Sequence, residues 1–189
     1  PKPKNPAQNG ERKIIVGWTG SSTSQTHLEM FAPVLVKMLA RRDFELHVHS
    51  DREPDLPPEI PVVWHRWTPD NEVEVISNFD IGIMPLPDDE WSLGKCSMKA
   101  LLYMSLGIPT VCSDVGMNRE VITQGENGLL AATEEDWLAS LRKLIDDRDS
   151  RIRLGAAARA TVVEKYSMKR CADLFAGAIR EAIALRKNK

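Results

Sequence analysis

The chain has 189 residues, of which 42% are hydrophobic and 28% charged, with a formal net charge of −2. These values are typical of one soluble globular domain, and the net charge does not favour nucleic-acid binding. No apolar run approaches the roughly 20 residues of a membrane-spanning helix, and no signal peptide opens the sequence. The three cysteines, Cys96, Cys112 and Cys171, lack metal-binding spacing and suit a reducing compartment such as the cytoplasm.

The sequence divides into an arm, a folded domain and a final helix. Residues 1–12 are rich in proline and poor in apolar side chains, which predicts a linker or disordered arm. The chain begins with Pro1 rather than Met, as expected for a domain of a longer protein. We place the folded domain at residues 13–166 and a separate carboxy-terminal helix at 167–189, with Ser167 as its cap.

Buried strands alternate with helical segments along the folded domain. Apolar runs predict strands at 13–18, 44–50, 61–67, 81–87 and 108–113. Helical periodicity predicts helices at 28–42, 71–78, 97–106, 134–147, 150–166 and 168–187, with the chain turning helical after Gly128. Pro33 must kink the first helix or mark its true start. The alternation predicts an α/β fold with a parallel sheet covered by helices on both faces, followed by a helical carboxy terminus.

The stretch 79–130 carries the strongest functional signal. It has the order strand, charged loop, helix and strand, which brings the loop and the helix start together outside the strand ends. Four residues occupy this predicted helix start: Lys95, Ser97, Met98 and Lys99. If Ser97 caps the helix, the first-turn N–H groups and both ammonium groups converge on a site suited to a diphosphate. The alternative is that both lysines are solvated surface residues.

Other candidate binding residues follow the predicted strands. Gly17, Thr19, Gly20 and Ser21 follow the first strand but match neither a P-loop nor a dinucleotide fingerprint, so the pattern alone indicates only a turn. Trp67 follows the third strand, where it either stacks on a base or simply packs. A metal site is not predicted, because His47 and His49 share a strand face without a third ligand.

The central segment resembles the carboxy-terminal, donor-binding half of group-1 (family 4) retaining glycosyltransferases with the GT-B fold. The residues that carry the resemblance are Gly94, Lys95, Cys96, Lys99, Tyr103, Met104, Gly107, Pro109, Gly116, Asn118, Glu120, Gly125 and Gly128. The resemblance implies a Rossmann-like half of a GT-B fold. It further implies transfer of a sugar from a UDP- or GDP-linked donor to a lipid or saccharide acceptor. Retention at the anomeric carbon is implied, with no essential metal or other cofactor.

The same resemblance assigns roles to particular residues. It implies catalytic roles for Lys99, Lys95 and Glu120 on the donor diphosphate and sugar. It implies that the loop of Gly17, Thr19, Gly20 and Ser21 lies beside the donor phosphates, with Trp67 near the base. Ser97, Met98 and Leu102 then complete the nucleotide site.

One departure from the family pattern concerns ribose binding. Many of these enzymes bind the ribose with a glutamate at the position occupied here by Leu102. Met98 lies four residues earlier, so the two side chains share an apolar stripe, as core residues would. Asp88, Asp89 and Glu90 lie just upstream and offer a carboxylate by another geometry, or only a solvated acidic loop.

The sequence also allows two alternatives to an active donor-binding half. The departure at Leu102 favours a degenerate, non-catalytic glycosyltransferase-like module, and an unrelated Rossmann-like domain is the second rival. For the active half, the resemblance implies an acceptor-binding amino-terminal domain outside this chain, on which the helix 167–189 packs back. It also implies a cytoplasmic protein, with any peripheral membrane contact made through that missing half at the inner membrane face.

Overall fold

Six parallel strands form a single sheet in the computed structural model, which describes residues 12–187. The strands are Ile14–Thr19 (β1), Phe44–Ser50 (β2), Val62–Arg66 (β3), Ile81–Met84 (β4), Thr110–Ser113 (β5) and Leu129–Ala131 (β6). Their order in the sheet is β3-β2-β1-β4-β5-β6. The chain therefore runs outward from β1 to β3 and returns to β4 beside β1. This reversal opens a crevice at the carboxyl ends of β1 and β4, where ligands bind in open α/β sheets.

Helices connect the strands and complete the carboxy-terminal part of the described chain. They are Gln25–Met30 (α1), Ala32–Leu39 (α2), Glu72–Ile76 (α3), Glu90–Leu93 (α4), Met98–Ser105 (α5), Asn118–Val121 (α6), Glu134–Asp146 (α7), Arg148–Lys165 (α8) and Met168–Lys187 (α9). The predicted first helix is divided at Phe31, because Pro33 belongs to the first turn of α2, where its missing N–H costs nothing. Thr133 and Asp136 form a capping box that starts α7.

The core lies on both faces of the sheet because side chains alternate along each strand. On β1, Ile14, Val16 and Trp18 pack with α1, α2 and α7 on one face, whereas Ile15 packs with Phe79 on the other. A further cluster joins β4 and β5 to α5, α6 and α8. The predicted Rossmann-like sheet with helices on both faces and a helical carboxy terminus is confirmed.

Two local predictions differ from the structure. Residues 129–131 form β6, which pairs with β5, so the helix predicted after Gly128 begins only at Glu134. Three residues are too few to show a strand period, and pairing with β5 decides their conformation. Arg12, which we assigned to the arm, is bound to the sheet: its guanidinium donates to the buried carboxylate of Asp80 at 2.7 and 3.0 Å. The predicted arm otherwise lies outside the described residues.

The last helix, α9, differs from the others in its exposure. It starts after Ser167, whose Oγ accepts a long hydrogen bond from the Arg170 N–H at 3.4 Å. Apolar side chains including Phe175, Ile179 and Ile183 are exposed along it. None of the helices in the described range 12–187 combines the length and hydropathy needed to cross a membrane.

Candidate functional site

The loops after β1, β2 and β3 and the start of α5 enclose a cavity of about 420 Å³ at the carboxyl edge of the sheet. Its volume lies within the roughly 300–1,000 Å³ range of small-molecule pockets. Its walls include these predicted site residues: Thr19, Gly20, Ser21, Trp67, Met98, Lys99 and Leu102. The crevice expected from strand order is therefore a real cavity, lined by residues that lie far apart in sequence.

Lys99 brings a partly buried positive charge into the wall of this cavity. It is the second residue of α5, and its Nζ lies 5.6 Å from the ring centroid of the buried Trp18. Burial, and then the charge of Lys95, lower the pKa of Lys99. In the described part of the chain no carboxylate forms an ion pair with it. A cation at a helix amino terminus is unfavourable, so an anionic ligand would relieve this arrangement.

Ser97 shapes the start of α5 in a way that the sequence did not indicate. It occupies the cap position with φ of 55°, in the left-handed region that non-glycine residues rarely adopt, and its hydroxyl caps no backbone N–H. Instead Oγ donates to Asn118 Oδ1 at 2.7 Å, and Asn118 Nδ2 donates to the carbonyl of Ser113 at 2.9 Å. Ser97 therefore holds the N-cap position of α5, but its side chain makes no cap hydrogen bond. Because the hydroxyl is engaged elsewhere, the first-turn N–H groups of α5 stay available to a ligand.

Two further basic side chains lie near Lys99. Lys95 is half-buried outside the cavity wall, with its Nζ 4.9 Å from the ring centroid of Trp91. His27, on α1, is also half-buried. Its pKa is lowered by burial first and then by the charges of Lys99 and Lys95. His27 was not predicted from sequence, because only the folded chain brings α1 beside the start of α5.

The loop after β1 is fixed by buried hydrogen bonds. The Thr19 N–H donates to the Tyr103 hydroxyl at 2.8 Å, and Thr19 Oγ1 lies 3.1 Å from His49 Nδ1. Gly20 passes close to the Trp18 ring, where an added Cβ would come within 2.6 Å of the indole. Ser21 is exposed, and its Oγ bonds Thr23 Oγ1 at 2.7 Å. This loop therefore offers a rigid polar wall to the cavity.

The structure adds two acidic residues to the cavity that we did not predict, Asp51 and Glu72. Asp51 accepts hydrogen bonds from the N–H and the hydroxyl of Ser22, and these bonds lower its pKa. Glu72 opens α3, and its Oε1 accepts from Trp67 Nε1 at 3.0 Å. The sequence signal for Glu72 was its place directly after the loop that follows β3.

Met98 and Leu102 line the cavity instead of the core alone. The Met98 side chain is 65% exposed, which contradicts the core packing that their spacing predicted. Leu102 is half-buried, touches the cluster around Phe79 and borders the same cavity. This part of the α5 wall is therefore apolar where a glutamate would have supplied a charge.

Other predicted residues lie outside this cavity. Gly17 is in the middle of β1, where an added Cβ would come within 2.0 Å of the Phe79 ring, so its visible role is to admit that ring. Glu120 is exposed on α6, and the Ser97–Asn118 bond brings the start of this helix to the start of α5. Asp89 caps α4 by accepting from the Ser92 N–H at 2.7 Å and is not part of the cavity wall.

A larger cavity of about 570 Å³ lies at the opposite, amino edge of the sheet, but its charges are paired. Lys13 contacts Asp43 at 2.8 Å, and Arg42 contacts Asp146 at 2.7 Å. Within residues 12–187, no group of three or more histidine, cysteine or acidic side chains is placed to hold a metal ion. The cavity around Lys99 is therefore the site that we consider further.

Residues 13–147 match the family described as "Glycosyl transferases group 1". This match covers most of the chain and includes every residue that lines the cavity around Lys99. A comparison with curated proteins found no significant match.

Solved structures share the fold at low sequence identity. The carboxy-terminal domain of the group 1 glycosyl transferase LpcC from Francisella tularensis aligns with a TM-score of 0.66 and 18% identity, covering 86% of this chain and 95% of that domain. Sucrose-phosphate synthase from Thermosynechococcus elongatus aligns with 0.71 and 15%, covering 92% of this chain and 46% of that protein. HepE from Anabaena, solved in complex with UDP-glucose, aligns with 0.67 and 13%, covering 90% and 49%. The chain thus spans about half the length of the latter two proteins.

Proposed function

The chain belongs to the group 1 glycosyltransferases, and from this premise we propose that it is the donor-binding half of a retaining glycosyltransferase. The donor is a nucleotide diphosphate sugar, UDP- or GDP-linked, and the acceptor is a lipid or a saccharide. A solved relative, HepE, carries UDP-glucose in its structure. The cavity around Lys99 has the size for a nucleotide, with a cation at one wall and an aromatic side chain at another.

One observation carries the proposal: Lys99 lies half-buried in the cavity wall at the uncapped start of α5. When the bond between sugar and diphosphate breaks, negative charge develops on the departing diphosphate. An ammonium group and helix N–H groups fixed in advance stabilise that charge, an effect of several kcal/mol for comparable donors. Lys95 adds positive charge nearby, and His27 adds more when it is protonated, so we propose that these groups act without an essential metal or other cofactor.

The proposal extends to the partner of this half. We propose that the acceptor site lies on an amino-terminal domain outside this chain, and that the exposed apolar side chains of α9 pack against it. Glu120 would then contact the donor sugar from α6. The whole enzyme would work in the cytoplasm and reach the inner membrane face through that other domain, whereas this half alone would bind donor without turnover.

Thermal unfolding with UDP, GDP, ADP and dTDP tests the donor site. A ligand that binds only the folded state adds about 2.7 kcal/mol at a hundredfold excess over its dissociation constant. We expect one nucleotide to protect the protein, and Lys99→Ala to remove most of that protection. Lys165→Ala is the matched control, because Lys165 is an exposed lysine at the end of α8, away from the cavity. Equal protection of wild type and Lys99→Ala would contradict the proposal.

A second candidate function is a non-catalytic module with a vestigial donor site. Leu102 favours it, because an apolar side chain occupies the wall where the family has a ribose-binding glutamate. Leu102→Glu separates the two candidates. A functional donor site should hold or gain nucleotide affinity in this variant, whereas a vestigial site should bind nucleotide neither before nor after the change.

A further inference from the structure

The cavity around Lys99 contains two carboxylates, and they differ in what they can still bind. Each oxygen of Asp51 already accepts one hydrogen bond, Oδ1 from the Ser22 N–H and Oδ2 from the Ser22 hydroxyl at 2.8 Å. Glu72 uses only Oε1, which accepts from Trp67 Nε1 at 3.0 Å. Its Oε2 has no hydrogen-bond partner among residues 12–187. Glu72 is therefore the acidic side chain of this cavity that has one oxygen without any hydrogen bond, which leaves it the greater capacity to accept from a ligand.

The backbone next to Glu72 is held in place by side-chain hydrogen bonds of Asn71, one of which reaches the buried His49. Asn71 precedes it, and Asn71 Nδ2 donates to the Arg66 carbonyl at 2.9 Å. Asn71 Oδ1 accepts from the Thr68 N–H at 2.9 Å and lies 3.0 Å from Nε2 of the buried His49. His49 in turn contacts Thr19 at the opposite wall of the cavity. This network ties the start of α3 to the ends of β1, β2 and β3, so it fixes the backbone that carries Glu72.

We propose that Glu72 binds the paired hydroxyls of the donor's ribose, in place of the α5 glutamate that this chain lacks; the inference rests on the proposed function. Different elements supply the charged groups of the cavity wall: Lys99 comes from α5, and the Trp67–Glu72 pair comes from the chain after β3. A nucleoside diphosphate whose diphosphate contacts Lys99 extends its nucleoside towards that pair. Leu102 cannot accept a hydroxyl hydrogen bond and the Met98 thioether accepts one only weakly, whereas the carboxylate oxygen Oε2 of Glu72 is a strong acceptor.

The geometry of the Trp67–Glu72 pair favours ribose over base as the group that Glu72 binds. A carboxylate that accepts the indole N–H lies at the edge of the indole plane. A base stacked on the indole face lies in a parallel plane, so its in-plane donors point past that carboxylate. The ribose leaves the base plane, and its hydroxyls can reach Oε2. Recognition of a guanine edge by the same carboxylate is the outcome that the experiment must separate from this one.

The experiment measures the affinities of UDP, dUDP, GDP and dGDP by titration calorimetry for wild type, Glu72→Gln and Glu74→Gln. Removal of one hydroxyl that bonds a carboxylate costs at least about tenfold in affinity, which corresponds to the lower limit for hydrogen bonds to charged groups. We therefore expect wild type to prefer the ribonucleotide at least about tenfold over its deoxy counterpart, and Glu72→Gln to lose most of that preference. Glu74→Gln is the matched control, because Glu74 is exposed on the same helix and outside the cavity wall.

The possible results separate this inference from the proposed function. Binding of a ribonucleotide diphosphate with the same ribo-to-deoxy ratio in wild type and Glu72→Gln overturns the role of Glu72 alone. A loss of GDP preference in Glu72→Gln with that ratio unchanged assigns the carboxylate to a guanine edge and also overturns it. Binding of none of the four nucleotides by wild type overturns both the role of Glu72 and the proposed donor site. Thermal unfolding of Glu72→Gln at the wild-type temperature shows that a lower ribo-to-deoxy preference in this variant does not come from loss of the fold.

Discussion

Lys99 and its two basic neighbours, Lys95 and His27, form no ion pair with a carboxylate among residues 12–187. Lys99 is partly desolvated, Lys95 lies on the face of Trp91 and His27 feels both ammonium charges. Proteins tolerate such unpaired charge where a ligand of opposite sign completes the site. The same cations make the affinity for an anionic donor depend on pH.

We predict that His27 makes diphosphate binding tighter as the pH falls. Burial and the two lysines lower the pKa of His27 in the free protein, so the imidazole is neutral near pH 7. A bound diphosphate adds negative charge nearby and raises that pKa, so binding takes up a proton when the pH lies between the free and bound values. Each unit of pKa difference corresponds to about tenfold in affinity. Calorimetry between about pH 5.5 and 7.5 measures the effect.

The control for this prediction is His27→Gln, which keeps a polar side chain without a titrating group. The terminal phosphate of a nucleoside diphosphate also titrates near about pH 6, as phosphate monoesters do, so the comparison lies between the two proteins at each pH. Wild type should gain affinity relative to His27→Gln as the pH falls. A constant affinity ratio across the range would show that His27 does not sense the bound diphosphate.

The elements that form the site differ in how well the sequence predicts them. The buried strands and α5 were predictable, because long apolar runs and glycine turns mark them. Strand β6 was not, because Leu129–Ala131 is too short to show a period. Lys99, Trp67 and the loop after β1 were predicted for the cavity from the family resemblance. Glu72 was missed, because its position depends on how the loop after β3 folds against His49 and Asn71.

At position 17, both the family pattern and the packing of the core require a glycine. We assigned it to phosphate binding, but in the structure it lies within β1 against the Phe79 ring. Ser97 occupies the N-cap position as considered, but its hydroxyl donates to Asn118, which only the fold brings close, and caps no backbone N–H. Residue type and spacing identify a candidate, whereas its partner depends on tertiary contacts.

We predict that Gly17→Ala destabilises the domain without altering nucleotide affinity per folded molecule. The added Cβ would lie 2.0 Å from the ring of Phe79, which is fully buried, so β1 and that ring must move apart. Overpacking of this kind costs about 1–3 kcal/mol. Urea denaturation measures the change in the free energy of unfolding. Gly177→Ala is the control, because no neighbouring atom lies within 4 Å of its added Cβ, and alanine favours a helix.

Weaker nucleotide binding without a loss of stability in Gly17→Ala would support the predicted role of Gly17 in phosphate binding. If Gly17→Ala unfolds at the wild-type urea concentration but binds nucleotide more weakly, the β1 glycine contacts the donor rather than only the Phe79 ring. Lys99→Ala provides the reference for a true loss of donor contact in the same titration.

At the scale of the whole molecule, the cavity around Lys99 and the final helix belong to different parts of the fold. The buried clusters on both faces of the sheet draw on elements from β1 to α8, and Leu154 and Ala158 of α8 are fully buried. Along α9, by contrast, apolar residues such as Phe175 and Ile179 are exposed. The cavity around Lys99 is lined entirely by residues that precede α7. Folding and nucleotide binding should therefore depend on α8 and not on α9.

We predict that a variant ending at Tyr166 unfolds within about 2–4 °C of the full chain, the shift that corresponds to about 1 kcal/mol for a domain of this size. Its nucleotide affinity should equal that of the full chain, because every cavity residue remains. A variant ending at Asp147, which also lacks α8, should fail to fold cooperatively, since it exposes the surface that Leu154 and Ala158 cover. Scanning calorimetry of the full chain and the two shortened variants measures the three unfolding temperatures. A large drop for the variant ending at Tyr166 would mean that α9 stabilises this half directly, and its exposed side chains would then need another explanation than a missing domain.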